Sequence, residues 1–514
     1  MPLILVVLYV CLFSGLGALG LVGPDEPRYA AIARAMAETG DWITPRLWGT
    51  PWFEKPVLYY WAAGICMRLF GVSEFAARLP SALAALLAVV AVAWTALRSF
   101  GVRAAWFSLL MLPTSVAMIG FSRAASPDML FAGLLTASMA IALEILQKPR
   151  PGPGLRIAFG FFLGGAVLAK GPAAIVLAGG ATLVWAALSR QWLAPFRFLH
   201  PLIIAVFCAT ALPWYVLCAL RNPDFLRVFI WQHNFERYLT PVFEHRQPFW
   251  YYGPILLLAA VPWILFLIGA FPDAIRKWKD PGYRDSPGLL FTCWTVFPLV
   301  FFSLSQSKLP GYILPAVPPL FLLMGNWISY SLLDREKTVL RLVGWTGAFF
   351  LLFGAPSLVG IGASTGQMDW PEAVLIGGVT FTIGVIVIIL AFKKQPMAAL
   401  IAMACLVASV VLAANVVLLP EMDSRISARS LAQKLESGDP TLSHVAIYRL
   451  SRNWEFGLDF YSNRQLPEWT EGSGEPEWIL SGTLPDQQFL DRYKMHMEDA
   501  IPGNRDLVFV FHRY

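Results

Sequence analysis

Two carboxylates and a scatter of cations stand out against a largely apolar chain. Asp25 lies three residues before Arg28, and Asp128 opens an apolar run after Ser126-Pro127. Glu54 and Lys55 are adjacent within an aromatic stretch, with Trp52-Phe53 before them and Tyr59-Tyr60-Trp61 after. Lys170 interrupts a long apolar stretch, Trp231 to Tyr238 contains His233 and Arg237, and Lys308 precedes Tyr312. Fixed cations suit the departure of a phosphate, because the leaving group gains negative charge as its bond breaks. Lys55, Lys170, Arg237, Lys308 and Tyr312 are the candidates for holding that phosphate. Asp25, Asp128 and Arg28 are the candidates for the catalytic step, since a carboxylate can take a proton from an acceptor hydroxyl or orient the acceptor. Glu54 and His233 are residue types that could hold a divalent ion, of the zinc or magnesium–manganese class, beside the phosphate. These residue types together suit transfer of a sugar from a polyprenyl phosphate, with the lipid tail in a groove between helices.

Composition dictates which elements must carry these groups. Of 514 residues, 57% are hydrophobic and 14% charged, with a mean hydropathy of +0.60; a soluble domain carries about 25% charged residues. A soluble globular enzyme, a disordered chain and a disulfide scaffold are excluded. The six cysteines show no CxxC spacing and read as small buried hydrophobes. A spanning helix needs about 20 mostly apolar residues, and thirteen runs qualify: 2–22, 79–97, 104–120, 128–146, 157–169, 172–188, 199–220, 251–271, 288–305, 310–331, 342–362, 373–392 and 397–419. The fifth and sixth could be one helix broken at Lys170-Gly171-Pro172. Of the 29 basic residues before position 420, 16 fall in the loops 98–103, 147–156, 189–198, 272–287, 332–341 and 393–396. The positive-inside rule puts those loops in the cytoplasm. Residues 23–78, 221–250, 306–309 and everything after 420 then face outward, which for a bacterial inner membrane is the periplasm.

The first outer loop predicts a short surface helix. Asp25 or Glu26 suits its start, Pro27 its first turn, Ala30 to Ala37 its body and Gly40 its end. Asp25 and Arg28 would share one side of it. After Pro420 the charge reverses: 10 basic and 15 acidic residues give −5, against 29 − 18 = +11 before it. Val445–Tyr448 and Leu507–Phe511 read as buried strands and Ala428–Leu435 as an amphipathic helix. The expected organisation is a transmembrane domain over 1–419, with catalytic outer loops at 23–78, 221–250 and 306–312, followed by a small periplasmic α/β domain over 420–514.

The motifs resemble a known group. Asp-Glu-Pro-Arg-Tyr-Ala at 25–30, Gly-Asp-Trp-Ile-Thr-Pro-Arg at 40–46, Phe-Glu-Lys-Pro at 53–56, His-Asn-Phe-Glu-Arg-Tyr at 233–238 and Lys-Leu-Pro-Gly-Tyr-Ile-Leu-Pro at 308–315 are similar to the bacterial aminoarabinose (ArnT-like) lipid A glycosyltransferases. These belong to the GT-C membrane glycosyltransferases related to protein O-mannosyltransferases. The resemblance implies the GT-C fold, an undecaprenyl-phosphate sugar donor used on the periplasmic face, and inversion at the anomeric carbon by direct displacement. By the same resemblance Asp25 matches an essential first-loop aspartate and Asp128 a second acidic position near the cavity. Glu54 matches a carboxylate that helps hold a divalent cation, with His233 its partner, and Lys55 matches the first-loop lysine. Lys170 and Arg237 match basic residues for the donor phosphate. The transfer implied is of 4-amino-4-deoxy-L-arabinose to lipid A phosphate, by a monomer in contact with membrane lipids and with no nucleic acid partner.

Other readings compete. The same motifs serve transfer of mannose, galacturonic acid or hexosamine to protein or core glycan. A lipid transporter or flippase is a different class, but it would place polar groups at the bilayer midplane and relate its halves by a repeat. A binder of polyprenyl lipids without chemistry is another. Single residues also have plainer roles: Asp25 as a helix cap, Arg28 paired with Glu26, Glu236 paired with Arg237, Tyr312 shaping a broken helix, and Trp231 anchoring at the interface.

Overall fold

The structure is a computed structural model that describes residues 2–240, 246–354, 370–438, 442, 444–470, 476–484, 493–502 and 507–513. It divides into two compact units. One comprises Met1–Ser14, Trp52–Tyr59 and Leu79–Ala413; the other comprises Gly15–Pro51, Tyr60–Arg78 and Ala414–Tyr514. Most of the first outer loop falls in the second unit with the C-terminal region.

Six helices are long and apolar enough to cross a membrane: Glu74–Phe100, Pro127–Gln147, Pro153–Lys170, Pro201–Arg221, Pro310–Asp334 and Pro396–Ile426. Two further pairs qualify jointly but are bent, Val102–Met111 with Val116–Ser122 by 59° and Tyr252–Ala259 with Ile264–Trp278 by 117°. Four shorter apolar helices, Pro2–Leu12, Ala173–Leu188, Pro287–Ser303 and Gly377–Phe392, fall within other expected runs. The chain is a polytopic α-helical membrane protein. Length and composition alone support six spans, or eight with each bent pair as one, among the described residues. Of the expected run 342–362, the helix Glu336–Phe349 covers the start, and residues 355–362 lie outside the described residues.

Local sequence explains the departures. Both bends fall at a proline, Pro113 and Pro262, which lacks an N–H and crowds the preceding turn. The Ser115 hydroxyl then accepts the Met118 N–H and restarts the first helix. Lys170-Gly171-Pro172 separates two helices, Pro153–Lys170 and Ala173–Leu188, because Gly171 turns with φ +82°.

In the second unit, the run expected to continue as a helix to residue 22 has already ended at Leu12. Gly15 adopts φ +69°, and a Cβ there would sit 2.4 Å from the Asn415 side chain. The surface helix forms as expected over Asp25–Thr39, closed by Gly40 at φ +74°, whose N–H donates to Met36 O at 3.0 Å. A two-residue ribbon follows, β1 (Arg46–Leu47) against β2 (Thr50–Pro51). The C-terminal sheet orders as β3 (Val445–Tyr448), β4 (Trp478–Ser481), β6 (Leu507–Arg513) and β5 (Met495–Pro502). The β3–β4 pair is parallel and the rest antiparallel. Strand alternation splits its side chains between two cores. Val445, Ile447, Val508 and Val510 pack with Leu431, Leu435, Trp454 and Leu458 of the helices Arg429–Gly438 and Arg452–Ser462. Ala446 and Phe511 face the other way, onto Trp469 and Met495.

Candidate active site

In the first unit the site grows from two helix ends. Pro127 presets the first turn of Pro127–Gln147, and the Ser126 hydroxyl accepts the Asp128 N–H at 3.4 Å. The Asp128 carboxylate thus lies at the positive end of its helix, while Lys170, the last residue of Pro153–Lys170, lies at the negative end of its own. The two meet, the Lys170 ammonium donating to Asp128 Oδ1. The ammonium also lies 4.9 Å from the Tyr312 ring centroid and 5.6 Å from that of Phe131, within reach of their negative faces. The side chains are 15% and 25% exposed, so the pair is shielded yet reachable.

Two glycines hold this geometry. A Cβ on Gly171 would come 2.8 Å from the Phe229 ring. At Gly311 one would crowd the Phe121 ring at 3.0 Å and Asp128 Cγ at 3.3 Å, so the Pro310–Ala316 turn that carries Tyr312 needs glycine to lie against the carboxylate. Lys55 donates to Glu54 Oε1 at 3.1 Å. The buried Phe53 ring meets Phe225 edge-on at 5.3 Å and fixes this segment. Lys55 and Lys170 both act electrostatically on Asp128. Asp128, Lys170 and Tyr312 therefore lie together, with Lys55 acting on the Asp128 carboxylate.

Other candidates sit differently. Lys308 is buried and donates to Ser305 O at 2.5 Å, within its own loop; burial holds its pKa below the ordinary lysine range. Its observed role is to brace that loop. His233 lies in the π-helix Arg227–Glu236, where Asn234 donates to Phe229 O at 2.7 Å. Arg237 begins the short helix Arg237–Leu239, and its side chain lies outside the described residues. Of Glu54 and His233, the pair expected at a divalent ion, Glu54 bonds Lys55; no group of three or more His, Cys, Asp or Glu able to hold a metal forms among the described residues.

The second unit holds the first-loop carboxylate. Arg28 donates to Asp25 Oδ1 at 2.5 Å, on one side of the first turn as expected. The Asp25 side chain is 54% exposed and that of Arg28 10%. Glu26 is held by Arg78, at 2.7 Å and 3.3 Å, and accepts the Val22 N–H at 2.9 Å. Arg78 also donates to the carbonyls of Leu16, Leu19 and Gly20, so it anchors the entry to the Asp25 helix. Sequence reasoning passed over Arg78, although a lone cation entering an apolar run was a legible signal. It also passed over Ser126 as a cap on Asp128, which the Ser-Pro-Asp order advertises.

Comparison with known proteins gives this geometry a family. A family model described as dolichyl-phosphate-mannose-protein mannosyltransferase matches residues 3–229. The undecaprenyl phosphate-alpha-4-amino-4-deoxy-L-arabinose arabinosyl transferase of Edwardsiella ictaluri is 34% identical over 354 residues, 68% of this chain and 62% of that protein. The chain thus matches about three fifths of that relative's length. The Photorhabdus laumondii enzyme of the same name is 30% identical over 389 residues, 73% of this chain and 69% of that protein. The crystal structure of ArnT from Cupriavidus metallidurans bound to undecaprenyl phosphate matches with a TM-score of 0.80 at 25% identity, covering 99% of this chain and 97% of that one. Helix ends that present an aspartate to a lysine thus occur here on a fold shared with a polyprenyl-phosphate binder, and the chain belongs to the family of the undecaprenyl phosphate-aminoarabinose arabinosyl transferases, membrane glycosyltransferases of the GT-C fold.

Proposed function

We propose that this chain transfers 4-amino-4-deoxy-L-arabinose from undecaprenyl phosphate to a phosphate of lipid A, on the periplasmic face of a bacterial inner membrane. The observation that carries the reading is the shielded Asp128–Lys170 pair, with Tyr312 beside it and Lys55 acting on Asp128, in a chain whose relatives are named undecaprenyl phosphate-aminoarabinose arabinosyl transferases. The acceptor oxygen attacks the anomeric carbon as the bond from that carbon to the donor phosphate oxygen breaks. The electron pair leaves with undecaprenyl phosphate, which passes from a singly charged diester to a more highly charged monoester. Lys55 and Lys170 take up this added charge, and cations already held in position need not reorganise as it develops. Asp128 holds the Lys170 ammonium in place. A lipid A phosphate is already ionised at neutral pH, so no proton need be removed from it. Asp25, held by Arg28, then orients the acceptor.

Mass spectrometry of lipid A tests this in cells that make the donor lipid, with the gene, without it, and with Asp25→Asn. A pentosamine mass increment present with the intact gene and absent in the other two is the expected result. An unchanged lipid A spectrum with the intact gene would end the aminoarabinose reading and move the search to core glycan and secreted proteins.

A further inference from the structure

The helix Arg452–Ser462 belongs to the C-terminal domain, yet three of its residues reach the first loop within the same compact unit. Phe460 O accepts a hydrogen bond from Arg34 at 3.3 Å. The Tyr461 hydroxyl accepts the Leu21 N–H at 2.8 Å and donates to Glu74 Oε1 at 2.8 Å. Phe456 presents its ring to Arg28, 5.7 Å from the guanidinium carbon to the ring centroid; the Tyr29 ring lies at 5.4 Å. Arg28 therefore bonds Asp25 along its edge while aromatic rings from two distant stretches of chain flank it. A guanidinium flanked by rings loses few hydrogen-bonding options and gains a fixed plane. A fixed plane in turn gives the exposed Asp25 carboxylate one direction.

We infer that Phe456 is a positioning residue for the transfer: its ring walls Arg28, Arg28 orients Asp25, and the C-terminal domain thereby takes part in shaping the first-loop site. The inference rests on the role given to Asp25 above. It is tested on the full-length protein in detergent, with undecaprenyl phosphate-linked aminoarabinose and lipid A, using Phe456→Ala, Phe456→Leu and Phe456→Tyr. Ring contacts of this kind are worth roughly two- to thirtyfold. The expected result is a loss of kcat of about five- to tenfold for Ala and Leu, an unchanged KM for donor, a melting temperature for Leu close to that of the unaltered chain, and recovery with Tyr. A Leu variant as active as the unaltered chain overturns the inference, because packing alone would then suffice. A second readout needs no turnover: phenylglyoxal labelling of Arg28, followed by peptide mass, should quicken in Phe456→Leu and return to the original rate in Phe456→Tyr. Equal labelling in all three overturns the inference even if the unaltered chain transfers nothing, whereas absent transfer with altered labelling overturns the functional reading alone.

Discussion

Asp128 and Lys170 show how much a single pair can settle. Each is stabilised by the helix end that bears it, and each neutralises the other in a shielded place where a lone charge would be costly. Lys170→Ala should therefore lower release of undecaprenyl phosphate by roughly 10²–10³-fold, the usual cost of removing a group that stabilises developing charge. Asp128→Asn should lower both turnover and melting temperature, because it leaves a shielded ammonium without its carboxylate. Lys308→Gln should cost less turnover than Lys170→Ala, since the Lys308 bond observed is to its own loop. Donor-dependent release of undecaprenyl phosphate, measured on equal amounts of folded protein, ranks the three. A Lys308 variant as impaired as Lys170→Ala would contradict the bracing role.

At the scale of elements, breaks matter more than spans. Gly171 ends one helix and starts the turn to the next in a left-handed conformation, with the Phe229 ring against the place a Cβ would take. Gly171→Ala should lower stability by about 1–3 kcal/mol through backbone strain and overpacking. It should also reduce turnover, because Lys170 is the residue before the turn. A thermal melt in detergent beside the turnover assay checks both. Arg78 is the corresponding device in the second unit, tying Glu26 to three carbonyls of the 16–20 segment. Arg78→Ala should leave Glu26 buried without that cation and reduce the amount of folded protein in membranes, read by fluorescence-detected size-exclusion chromatography.

On the scale of the whole molecule, the C-terminal domain carries its own pH response. Burial pushes the Asp459 carboxyl up to about 7. Its Oδ1 accepts the Leu466 N–H at 2.8 Å, and its Oδ2 is buried without a hydrogen-bond partner among the described residues. The folded chain thus binds this proton more tightly than the unfolded chain does. Its stabilising effect is full below pH 4, declines as pH rises, and is lost once pH passes about 7, a change on the order of 2–4 kcal/mol. Asp459→Asn should flatten that decline, so that the variant gains melting temperature relative to the unaltered chain at pH 8 but not at pH 4. Equal pH dependence in the two would rule out Asp459 as the source.

Composition and pattern alone determined a polytopic membrane protein, the start and end of the Asp25 helix, the strands at 445–448 and 507–511, and the chemistry class, because hydropathy, capping residues and strand alternation act over a few neighbouring residues. The five motifs carried the family for a related reason: fixed residue types at fixed local spacing remain visible in one dimension. Tertiary structure alone decided that Asp128 meets Lys170, that Glu26 is held by Arg78, that Lys308 turns back onto its own loop, and that Gly15 lies against the Asn415 side chain. Each of these depends on which distant segment packs alongside, and a charge or a glycine carries the same local signal whichever partner it finds.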